Sequence, residues 1–390
     1  MYFTFRKTEI PKMDPIFKNL RVIELANVLA GPSVGQFFAE LGAEVIKIEN
    51  PKTKGDVTRS WKLKSEDSES SISAYFSAAN SGKKSIGLDI SKEEDLSILY
   101  KLIAKSDIVI ASYKAGDAEK LKVDYESLKS INPQIIYGQI TGYGDEDERV
   151  GYDAIIQAES GFMSMNGEPG GNSLKMPVAL VDVLAAHHLK EAILLAYINL
   201  LKNNEGSKVS VSLFESAIAS LANQATNYLI GGHNPQKMGA EHPNIAPYGT
   251  VLKTIDNKEI LLAVGTNSQF HKLCEVLEMP EISEDYRFKT NTLRVENRKT
   301  LNQILLGKAR LFPSDILIQN LKVAKIPAGK LQSIEEALQG KDAENMILRS
   351  AEMSFALRNF AGSLSFMGNS SHLSPPPEFD QNRDEILALI

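Results

Sequence analysis

A chain of 390 residues, 43% hydrophobic and 24% charged, has the makeup of a globular protein too long for one small core; about two domains, or one large α/β domain with an appendage, are expected. A net charge of −6 without clustered positive charge argues against a nucleic-acid surface, and no stretch approaches the roughly 18 uninterrupted apolar residues of a membrane span. The single cysteine, Cys274, excludes an internal disulfide and any Cys-rich metal site, which fits a reducing, cytoplasmic setting. The mitochondrial matrix stays open, because Met1–Asn19 carries several positive charges but also Glu9, Asp14 and no apolar core of signal-peptide length.

Leu20–Leu25 reads as a first strand, Ala26–Pro32 as a turn, Ser33–Leu41 as a short helix and Gly42–Glu49 as a second strand. That is the opening of a parallel α/β sheet. The turn holds Gly31 followed by Pro32 and lacks the Gly-x-Gly-x-x-Gly fingerprint of dinucleotide binding. Alternation continues with a strand at Lys84–Asp89, a helix at Lys92–Ala104, a strand at Asp107–Ala111, a helix at Tyr125–Ile131 and a strand at Gln134–Ile140. A parallel sheet collects its ligand outside the carboxyl ends of its strands. Those ends fall at Asn27–Leu29, Asn50-Pro51, Asp89–Ser91, Ser112–Lys114 and Thr141–Gly144.

Pro177–Val181 is an apolar run of strand length ending on one carboxylate, Asp182. Fourteen of the nineteen residues of Val183–Leu201 are apolar, and a helix apolar all round lies largely inside a fold, so Asp182 is expected in a half-buried place. Taken alone, it reads as an N-cap. Lys208–Leu213 alternates like a half-buried strand, and a helix runs on through Tyr228. Gly231–Thr250, with four glycines, three prolines and two histidines, reads as a long loop. A small domain follows, with a strand at Glu259–Val264 and helices at Phe270–Leu277 and Thr300–Ala309, and a polar segment, Ser363–Pro377, precedes a short terminal helix. Residues 1–228 are thus the first part of a large α/β domain, 229–325 a linker and small α+β domain, and 326–390 a return to the large domain. His187 and His188 read as packing or surface residues, since no spacing suggests a metal. Lys83-Lys84 reads as the solvated start of a strand. Asp153 reads equally as a turn-ordering residue or a chemical group, and His242 and Asn244 equally as loop-shaping or substrate-touching.

Several blocks stand in a characteristic order: Arg21–Pro32, Leu41–Glu49, Gly55-Asp56, Arg59, Gly151–Asp153, His242–Gly249, Ala263–Gly265 with Gln269-Phe270, and Ile326–Gly329. Together they resemble the class III CoA-transferase family, the group of formyl-CoA transferase and the carnitine CoA-transferase, over most of the chain. The resemblance implies a large Rossmann-like parallel-sheet domain plus a smaller α+β domain, in an interlocked homodimer. It implies Asp182 as nucleophile and Tyr152 in the active site. The α-methylacyl-CoA racemases of the family carry histidine where Tyr152 stands, which favours transferase over racemase; a racemase or epimerase is the second reading and a silent acyl-CoA-binding protein the third. Positions matching coenzyme A contacts are Val28, Leu29, Ala30, Leu88, Asp89, Ile90, Ser91, Ser112, Tyr113, Lys114 and Lys120, with Lys114 and Lys120 supplying positive charge. Two basic residues of the formyl enzyme are replaced by Asn50 and Val150; Lys52 and Lys92 stand close by and read as ordinary solvated lysines ahead of compensating cations. Lys237–Asn244 stands in place of that enzyme's glycine run, and Glu378–Gln381 where the family often carries Gly-Glu-His-Thr. The implied substrates are an acyl-CoA and a free carboxylic acid, with no metal; the His242–Gly249 and Ala263–Phe270 blocks look closer to the dicarboxylate-using branch, with succinyl-CoA as donor.

This chemistry suits a carboxylate. Only an acyl carboxylate yields an anhydride that a released thiolate can reopen, and an aspartate, which ordinarily titrates near 3.9, is expected to be ionised at neutral pH without a general base. Each tetrahedral step needs N–H donors, for which the Leu29–Gly31 turn and the loop Asn166–Asn172 are candidates.

Overall fold

Runs of Val and Ile buried on both faces are what a parallel sheet requires, and the strands expected between residues 20 and 140 all form. In this computed structural model, which describes residues 15–351, 353–367 and 373–390, the chain begins with β1 (Arg21–Leu25), α1 (Ala30–Glu40), β2 (Glu44–Glu49), α2 (Ala74–Asn80) and β3 (Lys84–Gly87). It continues through α3 (Glu93–Ile103), β4 (Ile108–Ala111), α4 (Asp117–Lys120), α5 (Tyr125–Lys129) and β5 (Ile136–Thr141). After α6 (Asp153–Glu159), α7 (Phe162–Met165) and α8 (Leu180–Asn203), β6 (Ser207–Ser212) completes a six-stranded parallel sheet of order β3-β2-β1-β4-β5-β6. Ile23, Ile46, Ile108, Val109 and Ile136 at its centre are fully buried. The strand order reverses between β1 and β4, and a ligand crevice belongs at that switch point.

Three charged residues interrupt the apolar strands: Glu24 on β1, and Lys47 and Glu49 on β2, each at most 1% exposed. Glu24 lies opposite Lys47 in the register. The Lys47 ammonium sits 2.8 Å from Glu24 and 3.0 Å from Asp56, while Lys83 reaches the other Glu24 oxygen at 2.7 Å. Arg59 closes the network on Glu49 at 2.7 Å. Gly35 inside α1 makes room for the Glu24 carboxylate, which a Cβ there would strike. Lys83 is therefore not a solvated strand start: its side chain is fully buried, because Glu24, the Pro32 carbonyl and Asn80 together satisfy its three protons. Burial pulls it down to about 8. Lys47 is pulled down by burial as well, but the carboxylates of Glu24, Asp56 and Glu49 outweigh that and push it above the ordinary lysine value. Lys84 is half-buried and pairs with Glu44 and Glu385.

Pro177–Val181 does not form a strand. Helix α8 starts at Leu180, so Asp182 is the third residue of its first turn rather than its N-cap. The reason is a helical stripe: Val181, Ala185, Leu189 and Ile193 recur every four residues and are buried on one side, and a short apolar run cannot by itself be told from such a stripe. Nor is α8 buried all round, since Leu195 and Leu201 are each 68% exposed. Two further helices, α9 (Leu213–Ala219) and α10 (Ala222–Gly231), follow β6.

The second unit contains β7 (Tyr248–Lys253), β8 (Glu259–Ala263), α11 (Asn267–Val276), α12 (Pro280–Glu284), α13 (Asn291–Glu296), α14 (Arg298–Ala309), α15 (Ser314–Val323), β9 (Ala328–Lys330) and α16 (Ile334–Gln339). Its three strands form an antiparallel sheet, and helices α11, α14 and α15 pack their apolar faces into its core. The expected loop before β7 is tightly held. Asn291 donates to the Asn244 carbonyl at 2.8 Å, Arg294 to that of Ala246 at 2.7 Å, Arg298 to that of Ile245 at 3.2 Å, and Asn302 to Glu241 at 2.8 Å. The chain then makes a hairpin, β10 (Ile347–Arg349) with β11 (Ser354–Leu357), and ends in α17 (Arg383–Leu387).

The first unit comprises residues up to Ser160, Met176–Asn223 and Lys341–Ile390; the second comprises Gly161–Lys175 and Gln224–Gly340. The chain thus returns at Lys341 where the sequence division has residue 326. Glu378–Gln381 and its neighbours cover the outer edge of β3: Asp380 accepts the Gly87 amide at 2.8 Å and Asn382 that of Ser85 at 3.1 Å. Among the described residues no helix is long and apolar enough to cross a membrane. Most of Met1–Asn19 and part of Ser363–Pro377 lie outside the described residues.

Removing one partner of a buried ion pair strands the other. Lys83→Met should cost about 3–5 kcal/mol, whereas Lys84→Ala, on a partly solvated pair, should cost at most about 1 kcal/mol. Urea unfolding midpoints of the two variants compare these directly; equal, small losses would contradict the buried pairing.

Candidate active site

Helix α8 has no side chain of its own to cap it: Ala179 occupies the N-cap position. The missing acceptor comes from α6, where Asp153 Oδ1 accepts the Val181 amide at 2.8 Å and Oδ2 accepts Gln157 Nε2 at 2.8 Å. Gln157 in turn accepts the Met176 amide at 2.8 Å. Asp153 and Gln157 therefore staple the segment leading into α8, and Asp153 orders a helix other than its own.

Asp182, one residue beyond the stapled amide, is 9% exposed. Among the described residues nothing donates a hydrogen bond to its carboxyl. Burial, and secondly the negative charge of Asp153, push it up to about 7. Asp182 therefore holds its proton to higher pH than an ordinary aspartate, contrary to the expectation of full ionisation, because desolvation disfavours its charged form.

Tyr75, the second residue of α2, belongs to the same place. Burial raises its phenol, and so do the charges of Asp182, Asp153 and Asp56. Trp61 meets its ring edge-on, with centroids 5.0 Å apart. Sequence reading misses both, because residues 51–80 show neither apolar period; the three aromatic residues Trp61, Tyr75 and Phe76 in a polar connection between strands are the signal. Tyr152 holds the N-cap position of α6 beside Asp153 and is 64% exposed.

At the carboxyl edge of the sheet, a cavity of about 310 Å³ is lined by Leu88, Asp89, Ile90, Ser91 and Tyr113 of the expected ligand contacts, together with Asn27, Asn50 and Lys52. Val28, Leu29, Ala30, Ser112, Lys114 and Lys120 do not line it. Lys120 instead pairs with Asp117 at 3.0 Å. The cation nearest the cavity floor is Lys52, 2.9 Å from Asp89 Oδ2, with Lys92 at 4.0 Å. The Ser91 hydroxyl, and after it Lys52, hold Asp89 down at about 2. A second, larger hollow of about 820 Å³ shares Asn27 and is lined by Lys54, Asp56, Arg59 and Lys62 among others. Asn27, in the β1–α1 turn, is the residue common to both linings.

His188 faces Glu191 at 3.8 Å, and among the described residues no group of three or more His, Cys, Asp or Glu is placed to hold a metal. In the second unit, His242 Nδ1 accepts the Asn244 amide at 3.1 Å, which leaves the ring proton of the neutral histidine on Nε2.

The family described as CoA-transferase family III matches residues 17–382. A succinate–glutarate CoA-transferase of Agrobacterium fabrum is 40% identical over 84% of this chain and 83% of its own length. The succinyl-CoA:glutarate CoA-transferase of Homo sapiens is 32% identical over 98% and 87%. Among solved structures, a CAIB/BAIF family protein from Brucella suis superposes with a TM-score of 0.84 at 36% identity, covering 97% of this chain and all (100%) of that one.

Because folding raises the Asp182 value from 3.8 to about 7, the stability this group confers is full below pH 4 and is lost as pH rises to 7. Asp182→Asn should therefore be more stable than the parent above pH 7, by on the order of 4 kcal/mol, with the gain vanishing near pH 4. Denaturant titrations across that range check it, and a pH-independent difference would contradict the burial argument. Asp153→Asn should move the Asp182 midpoint, followed by carbon NMR of labelled aspartate, toward acid; no movement would show that the Asp153 charge does not reach it.

Proposed function

Because the chain belongs to CoA-transferase family III, we propose that it moves coenzyme A from succinyl-CoA to a free dicarboxylic acid through covalent intermediates on Asp182. The observation that carries this reading is the Asp182 carboxyl itself, nine-tenths buried, without a hydrogen-bond donor among the described residues and in the first turn of a helix, where negative charge is favoured. The names of its relatives support the substrate class.

The ionised Asp182 attacks the donor thioester carbonyl and expels the CoA thiolate, leaving a mixed anhydride. The thiolate attacks the aspartyl carbonyl and expels the donor acid, giving an aspartyl thioester. The acceptor carboxylate attacks that carbonyl and releases the thiolate again. Finally the thiolate takes the acyl group from the second anhydride, and Asp182 leaves as a carboxylate. Asp182 ends each turnover as a free carboxylate, having given one oxygen to the donor acid and taken one from the acceptor, and no general base is needed once the carboxyl is ionised. Its position near 7 makes kcat/KM fall as pH drops below neutrality. Desolvation strengthens the nucleophile and protects the intermediates from water.

In this reading the cavity beside Leu88–Ser91 and Tyr113 takes the nucleotide end of coenzyme A, with Lys52 facing its phosphates and the turn Val28–Ala30 alongside. Tyr152 supplies a hydroxyl donor near the acyl group, where a racemase needs a histidine base. The exposed apolar side of α8, with Leu195, Ile198 and Leu201, is assigned to a second copy of the chain.

Incubation with succinyl-CoA and a panel of carboxylic acids should give new CoA esters by mass spectrometry, and Asp182→Asn should lose about 10³-fold or more. An unchanged Asp182→Asn rate would overturn the reading. Exchange of the α-proton of a 2-methylacyl-CoA in deuterated water would instead show a racemase.

A further inference from the structure

The turn that carries Asn27, which lines both hollows, is strained. Val28 lies at φ 72°, and a β-branched residue in the left-handed region is a genuine outlier that persists only where its surroundings hold it. What holds it is Asp56, whose two carboxylate oxygens accept the Val28 amide at 3.1 and 3.3 Å. Asp56 is 1% exposed. It is fixed by the Thr58 amide at 3.0 Å, the Thr58 hydroxyl at 2.8 Å and the Lys47 ammonium at 3.0 Å. The same ammonium donates to the Ala26 carbonyl at 2.7 Å. One buried ion pair thus grips the chain on both sides of Asn27, the residue that lines both hollows.

Resting on the functional reading above, we propose that Asp56 is a positioning residue: paired with Lys47, it latches Val28 in its left-handed conformation and so holds Asn27 and the turn against bound coenzyme A. A valine released from that bond relaxes to negative φ, and Asn27 leaves its place. A glycine at position 28 would keep the conformation without the latch, because it carries no steric penalty there. Asp56 acts through Val28 rather than by touching the ligand.

The test is calorimetric titration of the full chain with coenzyme A, alongside thermal melting. Asp56→Asn should weaken coenzyme A binding about tenfold and lower the melting temperature. Val28→Gly alone is the reference for the latch: it keeps the left-handed turn and carries whatever the loss of the valine side chain costs in binding. The double variant should bind within about threefold of Val28→Gly while remaining as heat-labile as Asp56→Asn, since glycine does not repair the ion pair. A merely structural role predicts that binding follows stability and that glycine rescues nothing; that result, or unaltered binding by Asp56→Asn, would overturn the latch. Should Asp56→Asn not fold, Thr58→Val loosens the same carboxylate without unpairing Lys47, and its smaller loss should likewise be erased by Val28→Gly; a loss that persists would overturn it. A parent chain that binds no coenzyme A would overturn the reading of the hollows and the latch together, whereas binding without rescue overturns the latch alone.

Discussion

The bond from the Val181 amide to Asp153 does two things at once. It closes the uncapped start of α8, and it fixes a carboxylate whose charge bears on Asp182. Substituting Asp153 with an uncharged cap would keep the helix and lose the second effect. With it, Asp182 sits in a desolvated first turn, its proton affinity raised by burial and by a neighbour that cannot leave. Among the described residues that carboxyl satisfies no donor, so it does little for the fold, which suits the proposed role of forming a bond once ionised.

A second feature of the first unit is the amount of charge buried beneath the crevice. Glu24, Lys47, Asp56, Lys83, Glu49 and Arg59 neutralise one another in a setting where an apolar core of equal volume would often be no less stable. Their placement explains their presence better than stability does. Lys47 and Asp56 reach the β1–α1 turn, and Glu49 with Arg59 fixes the connection that carries Asp56. Strain at Val28 lies in the turn that carries Asn27, which lines both hollows.

The sheet is legible in the sequence because parallel strands are continuous runs of Val and Ile, and a run such as Asp107–Ala111 has few other uses. Pro177–Val181 misleads because an apolar run of five residues fits a strand and the start of a helical stripe equally, and only the four-residue recurrence beyond it, at Ala185, Leu189 and Ile193, decides. Lys83 is illegible: its burial depends on Glu24, far away in sequence, and on the Pro32 carbonyl. Asp182 stands out by its place between an apolar run and a long apolar helix and by family resemblance, but its raised proton affinity follows from burial, which no spacing encodes. Tyr75 and Trp61 lie in a connection without periodicity. The cations Lys114 and Lys120 come from resemblance, and Lys52 holds the position next to Asp89 because the turn after β2 brings it there.

The central claim, that Asp182 is a covalent relay, is tested most directly by oxygen tracing. In a single turnover with an acceptor acid labelled with heavy oxygen in its carboxylate, the second anhydride hands one acceptor oxygen to Asp182, so the peptide containing Asp182 should gain one heavy oxygen and no other peptide should. Label confined to the acid and its new CoA ester, with Asp182 unchanged, would contradict the account.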